Sequence, residues 1–211
     1  MKTEPSLNAS KSEIRKSARK RRASLADDLR QRLDAAINRH LLDLTERLQP
    51  ALIAAFRAFD GEPDLLPALR ELETRGVRLA LPVVQKDPTH PGGAGGARIC
   101  FRRWSRGSEL HPNRFGILEP VGTLEVGLAE VDLALVPLVA WDAAGGRLGM
   151  GASFYDRLFQ PFANEPGPLR VGVAYGVQEV ERVPLEPWDV PLHMVLTENG
   201  CLDCRPQQKN R

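Results

Sequence analysis

The sequence predicts an α/β protein, a three-layer α/β/α sandwich around a mostly parallel central sheet. Three observations carry this expectation. Apolar runs of strand length recur along the chain: ALIAAFRAF (51–59), VRLALPVV (77–84), VDLALVPLVAW (131–141) and LRVGVAYG (169–176). Near-continuous apolar runs of this kind suit strands buried on both faces. A segment with helical spacing separates the first two, and a strand–helix–strand order calls for a parallel pair with a right-handed crossover. The 211 residues show one composition regime and no internal repeat, so one domain over 1–211 with helices on both sheet faces is the economical reading.

In chain order, residues 1–9 read as a flexible terminus. Ser10 and Glu13 then form a capping-box pattern that starts a helix over KSEIRKSARKRR. Ser24 is a second start signal, with Asp27 and Asp28 in the first turn where the helix dipole favours negative charge. Leu25, Leu29, Leu33, Ile37, Leu41, Leu44 and Leu48 recur at helical spacing up to Pro50. After the strand at 51–59, Pro63 is placed as the first residue of a helix with Leu65, Leu66, Leu69 and Leu72 on one face and Gly76 as its stop. The strand at 77–84 leads into a Pro/Gly-rich loop (85–96), and ARICFRRW (97–104) is the next strand. HPNRFGILEP reads as irregular. The run at 131–141 is the most apolar and suits a central strand. A short helix follows in the second half of GGRLGMGASFYDRLF (145–159). Two further strands are expected at 169–176 and, shorter, in MVLTENG (194–200). Residues 201–211 read as a flexible tail.

Composition excludes several classes of function. A formal net charge of +2 gives no whole-molecule field for nucleic acid. No apolar run approaches the roughly 18 residues of a membrane span. MKTEPSLNASKSEIRK lacks the apolar stretch of a secretory signal, so the expected compartment is the cytoplasm. Of the three cysteines, Cys100 reads as a core residue, while Cys201 and Cys204 make a lone C-x-x-C. His193 is the one further candidate ligand, short of the four a structural zinc site takes.

The glycine-rich segment carries the most chemistry. Gly145, Gly146, Gly149 and Gly151 permit positive φ and close backbone approach, and Arg147 and Arg157 add guanidinium groups suited to phosphate. It matches neither common phosphate-loop pattern and lacks the closing glycine of a nucleophile elbow. Spacing alone leaves a tight strand-to-helix turn and a phosphate site both open. Lys11, Arg15, Arg19 and Arg22 share one face of the first helix. That face reads as solvated, as cations for ligand phosphates, or as an RNA stripe, the last disfavoured by the lack of interleaved aromatics. Glu62 sits at a strand-to-helix junction, either as a helix-terminal charge or as an acceptor for substrate N–H groups. Asp156 suits a cap, a partner for Arg157, or a metal that accompanies a nucleotide. Of Phe154 and Tyr155, one should pack in the core and one face the loop. His90 and His111 read as surface residues.

Taken in order, KSEIR, FDGEPD, LPVV, FGILEP, PLVAWDAAGGRLGMGASFYDR, WDVPL and VLTENG resemble the 5-formyltetrahydrofolate cyclo-ligase family from about Lys11 to Gly200. The R-L-G-x-G-x-x-[FY]-Y-D-R segment is the most specific of these. The resemblance implies an ATP-dependent enzyme with Mg²⁺ that converts 5-formyltetrahydrofolate to 5,10-methenyltetrahydrofolate. In the mechanism the resemblance implies, the formyl oxygen attacks the γ-phosphate, N10 attacks the resulting iminophosphate, and phosphate leaves as the ring closes. Residue by residue, it implies that Lys11 and Arg15 reach ATP phosphates or the folate. Arg147, Leu148, Gly149, Met150, Gly151, Ala152, Ser153, Phe154 and Tyr155 form the nucleotide loop. Arg57, Glu62, Gly151 and Tyr155 contact the folate, Tyr155 and Arg147 serve the chemistry, and Asp156 and Asp189 are the Mg²⁺ candidates. It implies a monomer whose partners are ATP and 5-formyltetrahydrofolate, with neither nucleic acid nor membrane. The alternatives are a folate- or nucleotide-binding protein of the same fold without turnover, and an RNA-associated protein using the basic helix. The family usually reads G-x-G-G-G where this chain has Gly149-Met150-Gly151-Ala152-Ser153. A side chain at a left-handed position there costs on the order of 1 kcal/mol, and the Ser153 hydroxyl can donate to a phosphate oxygen.

Overall fold

A computed structural model describes residues 10–87, 96–163 and 166–205. The capping box forms as expected and starts α1 (Lys11–Ala23). The Ser10 amide donates to Glu13 Oε2 at 2.8 Å, and the Glu13 amide donates to the Ser10 hydroxyl at 3.3 Å. Ser24 closes this helix rather than opening the next. The N-cap of α2 (Asp27–Leu48) is Ala26, which makes no side-chain cap bond, and Asp27 and Asp28 occupy its first turn. Leu25, Ile37, Leu41 and Leu44 are buried, whereas Leu29 and Leu48 are exposed.

The run 51–59 gives only a three-residue strand, β1 (Leu52–Ala54). The Ala55 amide makes one last bond to the Ala80 carbonyl, and the chain then leaves the sheet through a turn in which Asp60 and Gly61 both have positive φ. The next helix, α3 (Leu66–Thr74), starts later than Pro63. Pro67 takes the first-turn position, and Asp64 Oδ1 accepts the Leu66 amide at 3.0 Å. Gly76 (φ +86°) follows its end, as the sequence suggests. Strands β2 (Arg78–Lys86) and β3 (Ala97–Trp104) pair antiparallel. The segment expected to be irregular forms an antiparallel hairpin of β4 (Leu110–Pro112) and β5 (Leu118–Pro120), and β6 (Glu125–Val126) pairs with β3.

The apolar run 131–141 divides into β7 (Leu133–Pro137) and β8 (Ala140–Trp141). Side chains take the carbonyls at the break. Gln178 Nε2 donates to Leu138 O and Val139 O, each at 3.0 Å. β8 turns back into β9 (Arg147–Leu148), and α4 (Phe154–Phe159), β10 (Leu169–Val173), β11 (Met194–Thr197) and β12 (Gly200–Asp203) complete the order. Residues 201–203 therefore belong to a strand, where the sequence suggests a tail. The hairpin into it turns on Gly200 (φ +122°). Residues 1–9, 88–95 with His90, 164–165 and 206–211 lie outside the described residues.

The main sheet runs β12-β11-β10-β7-β1-β2-β3-β6, and the pairs from β11 through β2 are all parallel. Alternating strand residues feed two cores. Ile53, Leu79, Leu133, Leu135, Val171 and Val173 pack with α2 and α3, whereas Leu52, Ala54, Ala80, Ala134 and Val136 pack with Phe159 of α4 on the other face. This is the expected α/β fold with helices on both faces. Chain order runs from β1 to β2 on one side and resumes at β7 on the other. The gap beyond the carboxyl ends of β1 and β7 is thus a topological switch point, where open α/β sheets bind ligands. The two C-terminal cysteines face opposite cores, Cys201 toward α2 and Cys204 toward α4. They do not form a pair. Among the described residues no cluster of three or more His, Cys, Asp or Glu is arranged to hold a metal.

Candidate active site

A cleft of about 1040 Å³ opens at this switch point. Its walls hold the site residues that the family resemblance implies: Lys11, Arg15, Arg57, Glu62, the run Arg147–Asp156 and Asp189.

The glycine-rich segment resolves into two halves with different jobs. The first half is the β8–β9 turn. Asp142 Oδ1 accepts the amides of Ala144 and Gly146 at 2.9 Å each, and Oδ2 accepts Val183 N at 2.7 Å. A Cβ on Gly145 (φ +85°) would meet the Leu192 carbonyl oxygen at 2.6 Å, and one on Gly146 would meet Asp142 Oδ2 at 2.5 Å. These two glycines serve the fold. In the second half, a Cβ on Gly149 would meet nothing within 4 Å, and one on Gly151 (φ +102°) only the Arg15 guanidinium carbon at 3.9 Å. That backbone borders open cleft, as an anion cradle requires. Ser153, next in the loop, has φ +50° and ψ +28°, the left-handed region. Ala152 is absent from the positive-φ residues.

Cations surround this loop. Arg147 is buried, and its Nη2 sits 2.6 Å from Asp156 Oδ1. Its Nε is buried without a hydrogen-bond partner. Burial pulls the guanidinium pKa down, and the Asp156 charge opposes that pull. Arg15 Nε donates to Gly149 O at 2.8 Å, and Lys11 Nζ sits 2.6 Å from Asp189 Oδ2. Arg157, expected beside the phosphate, instead braces the loop from behind. It donates to Ala152 O at 3.0 Å and Ala97 O at 3.1 Å and stacks on Phe154 at 5.4 Å. Phe154 and Tyr155 both line the cleft, rather than dividing between cleft and core, and Tyr155 also packs against the α4-side core.

The basic face of α1 is spent on protein partners, with Arg22 buried and Arg19 still half exposed. Lys11 and Arg15 reach the cleft, while Arg19 and Arg22 both bind Asp60 Oδ2, at 2.9 and 3.0 Å.

The opposite wall is the loop after β1. Phe59 N donates to Glu62 Oε2 at 3.1 Å. Burial raises the Glu62 carboxyl to about 7, with Arg22 opposing the rise. Burial also raises the Tyr155 phenol, the Glu62 charge adds to the rise, and Arg147 opposes it. Glu62, Tyr155 and Arg147 thus share one electrostatic neighbourhood. Asp156 and Asp189 are each held by a cation, so no protein cage stands ready for a metal. One or two carboxylates beside a phosphate site do suit Mg²⁺, which keeps waters and phosphates as its other ligands.

Sequence reasoning missed the third wall. Asn113, Phe115, Ile117 and Glu119 reach the cleft from the β4–β5 hairpin, and Glu119 Oε1 ties the hairpin to β2 by accepting Val84 N at 2.9 Å. Phe56, Phe59, Met150 and Trp188 add apolar surface, and Phe59, Phe115, Met150 and Trp188 are exposed. FGILEP and WDVPL stand out as motifs, but no periodicity assigns their side chains to a common cavity.

Comparison with known proteins places these features in a family context. The family model for the 5-formyltetrahydrofolate cyclo-ligase family matches residues 7–198. The 5-formyltetrahydrofolate cyclo-ligase of Haemophilus influenzae is 36% identical over 186 residues, covering 87% of this chain and 95% of the relative. The enzyme of that name from Escherichia coli K12 is 35% identical over 184 residues, covering 85% and 95%. Among solved structures, the Aquifex aeolicus 5,10-methenyltetrahydrofolate synthetase superposes with a TM-score of 0.77 at 33% identity, covering 95% of this chain and 96% of that one. The Mycoplasma pneumoniae 5,10-methenyltetrahydrofolate synthetase shares the fold, with a TM-score of 0.69 at 24% identity.

Proposed function

The chain belongs to the 5-formyltetrahydrofolate cyclo-ligase family, and from that premise we propose how its cleft closes 5-formyltetrahydrofolate to 5,10-methenyltetrahydrofolate at the expense of ATP. The reaction needs a poor leaving group made good. The formyl oxygen takes the γ-phosphoryl group and ADP departs. N10 then attacks the formyl carbon, and phosphate leaves with the oxygen. The protein's task is therefore to align two ligands and neutralise phosphate charge.

The observation that carries the assignment is Arg147 Nε, a buried donor with no partner beside a glycine backbone open to the cleft. Such a group costs stability unless a ligand completes it. A phosphate oxygen does so here, with Lys11 and Arg15 completing the cationic wall. The Ser153 hydroxyl donates to the same anion. Glu62 accepts N–H bonds from the pterin, and Arg57 lies on the same wall. The Tyr155 phenol, kept protonated by burial, donates to the formyl oxygen. Asp156 and Asp189 are the residues that would hold Mg²⁺. A divalent cation held there would offset phosphate charge that the side chains leave uncovered. The protein acts as a cytoplasmic monomer, and no described helix is long and apolar enough to cross a membrane. No observation favours binding without turnover or a role on RNA.

The test is direct. Purified protein with ATP, Mg²⁺ and 5-formyltetrahydrofolate should develop the near-ultraviolet absorbance of the methenyl product. Absence of an ATP-dependent change at high enzyme concentration refutes the assignment.

A further inference from the structure

Arg22 is a charged residue that none of the roles above uses. It lies in the last turn of α1, and its side chain is 2% exposed. A guanidinium this deeply buried is costly unless paired, and its partners reveal what it holds. Nη2 is 3.0 Å from Asp60 Oδ2, and Nη1 donates to Leu138 O at 3.4 Å. Asp60 belongs to the turn after β1, and Leu138 follows β7. One side chain therefore spans the two strand ends that define the switch point.

The turn it grips has an unusual backbone. Asp60 (φ +52°) and Gly61 (φ +77°) are consecutive left-handed residues, and Glu62 follows them directly. A second cation locks the same turn. Arg30 Nη1 donates to Gly61 O at 2.8 Å, and its Nη2 donates to the Arg22 carbonyl at 3.1 Å. Both arginines thus converge on the two residues before Glu62.

We propose that Arg22 is a positioning residue for the folate side of the cleft: anchored to Asp60 and to the end of β7, it fixes the turn that presents the Glu62 carboxylate. This rests on the reading that Glu62 holds the pterin. The charge also matters. Glu62 is faced by Arg22 from α1, Tyr155 from α4 and Asp60 on its own turn, and Arg19 shares Asp60 Oδ2 with Arg22. Arg22 is the cation that opposes the rise burial imposes on the Glu62 carboxyl. Helix α1 then serves both ligands, with Lys11 and Arg15 toward the nucleotide loop and Arg22 toward the folate wall.

Steady-state kinetics of Arg22→Met, Arg22→Lys, Asp60→Asn and Glu62→Gln test the proposal, with KM for folate and for ATP measured separately across pH 5.5–8.5. Arg22→Met should raise the folate KM roughly tenfold, the scale of a lost bond to a charged group, and leave the ATP KM within about twofold. Its folate KM should rise on acidification at a higher pH than in the parent, because Glu62 holds its proton longer without the cation. Arg22→Lys, which keeps the charge, should restore the parental pH profile. Combined with Glu62→Gln, Arg22→Met should add little further, since both act through one group. A folded Arg22→Met with unchanged folate KM overturns the proposal, as does an equal rise in both KM values or full additivity with Glu62→Gln. If Arg22→Met does not fold, the isosteric Asp60→Asn carries the test. It should raise the folate KM severalfold, and no change overturns the proposal. An unchanged folate KM in Glu62→Gln alone instead refutes the pterin assignment, and the proposal falls with it.

Discussion

Replacing Ser153 by glycine should stabilise the protein, while the same change at the adjacent Ala152 should destabilise it. Ser153 has φ +50° and ψ +28°. An L residue in this region carries about 1–2 kcal/mol of steric cost. Glycine removes that cost but returns about 0.5–1 kcal/mol through the greater freedom of its unfolded chain. Ser153 stands at the N-cap of α4 but makes no side-chain cap bond, so glycine loses at most a few tenths of a kcal/mol there. The balance favours Ser153→Gly by roughly 0.5–1 kcal/mol, or about 1–4 °C in Tm for a chain of this size. Ala152 is not among the positive-φ residues, so Ala152→Gly keeps only the entropic penalty and should lower Tm by about 1–4 °C. Thermal unfolding of the ligand-free protein measures both. A fall in Tm for Ser153→Gly, or a rise for Ala152→Gly, refutes the assignment of strain to one position. Function separates from stability in the same pair of sites. Losing the hydroxyl should raise the ATP KM roughly tenfold in Ser153→Gly and in Ser153→Ala alike, the scale of one lost hydrogen bond to a charged group. The alanine variant keeps the parental Tm.

The Glu62 carboxyl, raised by burial to about 7, makes the ligand-free protein less stable as pH rises. Its folded-state pKa exceeds the unfolded value, so its contribution is fully present below the ordinary glutamate pKa and is lost as pH climbs through about 7. Glu62→Gln should flatten that loss, giving a Tm gain over the parent at pH 8 larger than at pH 5. Equal gains at both values refute the titration. Gly145→Ala should cost about 2–4 kcal/mol, because its Cβ meets backbone and its φ is +85°. Gly149→Ala, facing open cleft, should leave Tm within about 2 °C. A Gly145→Ala variant as stable as Gly149→Ala refutes the division of the glycines into fold and site.

The layered fold was legible because buried strands and amphipathic helices follow local periodicity. The errors fell where tertiary partners override it. The run 51–59 reads as one strand, but Asp60 and Gly61 need a chain already free of the sheet, so β1 stops at Ala54. The run 131–141 breaks at Leu138 because Gln178 and Arg22, both distant in sequence, take the carbonyls there. Pro63 is as good a helix opener as Pro67 on propensity. Asp64 and the Asn38 side chain, whose Oδ1 accepts the Ala68 amide at 2.9 Å, select the later start.

The basic face of α1 illustrates why a site is harder to read than a fold. Spacing puts Lys11, Arg15, Arg19 and Arg22 on one stripe, and a stripe of cations is ordinarily solvated. What distinguishes this one is the location of its partners, Asp60, Gly149 and Asp189, which are scattered over 130 residues. The ion pairs also explain how the cleft can be built before its ligand arrives. A buried guanidinium such as Arg147 is unfavourable without countercharge, and Asp156 supplies it at 2.6 Å while leaving Nε unmatched. Lys11 is held in the same way by Asp189. The cations are thereby oriented in advance, and under the proposed function a phosphate entering between them would meet donors already in place. Electrostatic catalysis depends on that arrangement, because charge aimed at the reacting atoms lowers the barrier only if it need not reorganise during the reaction.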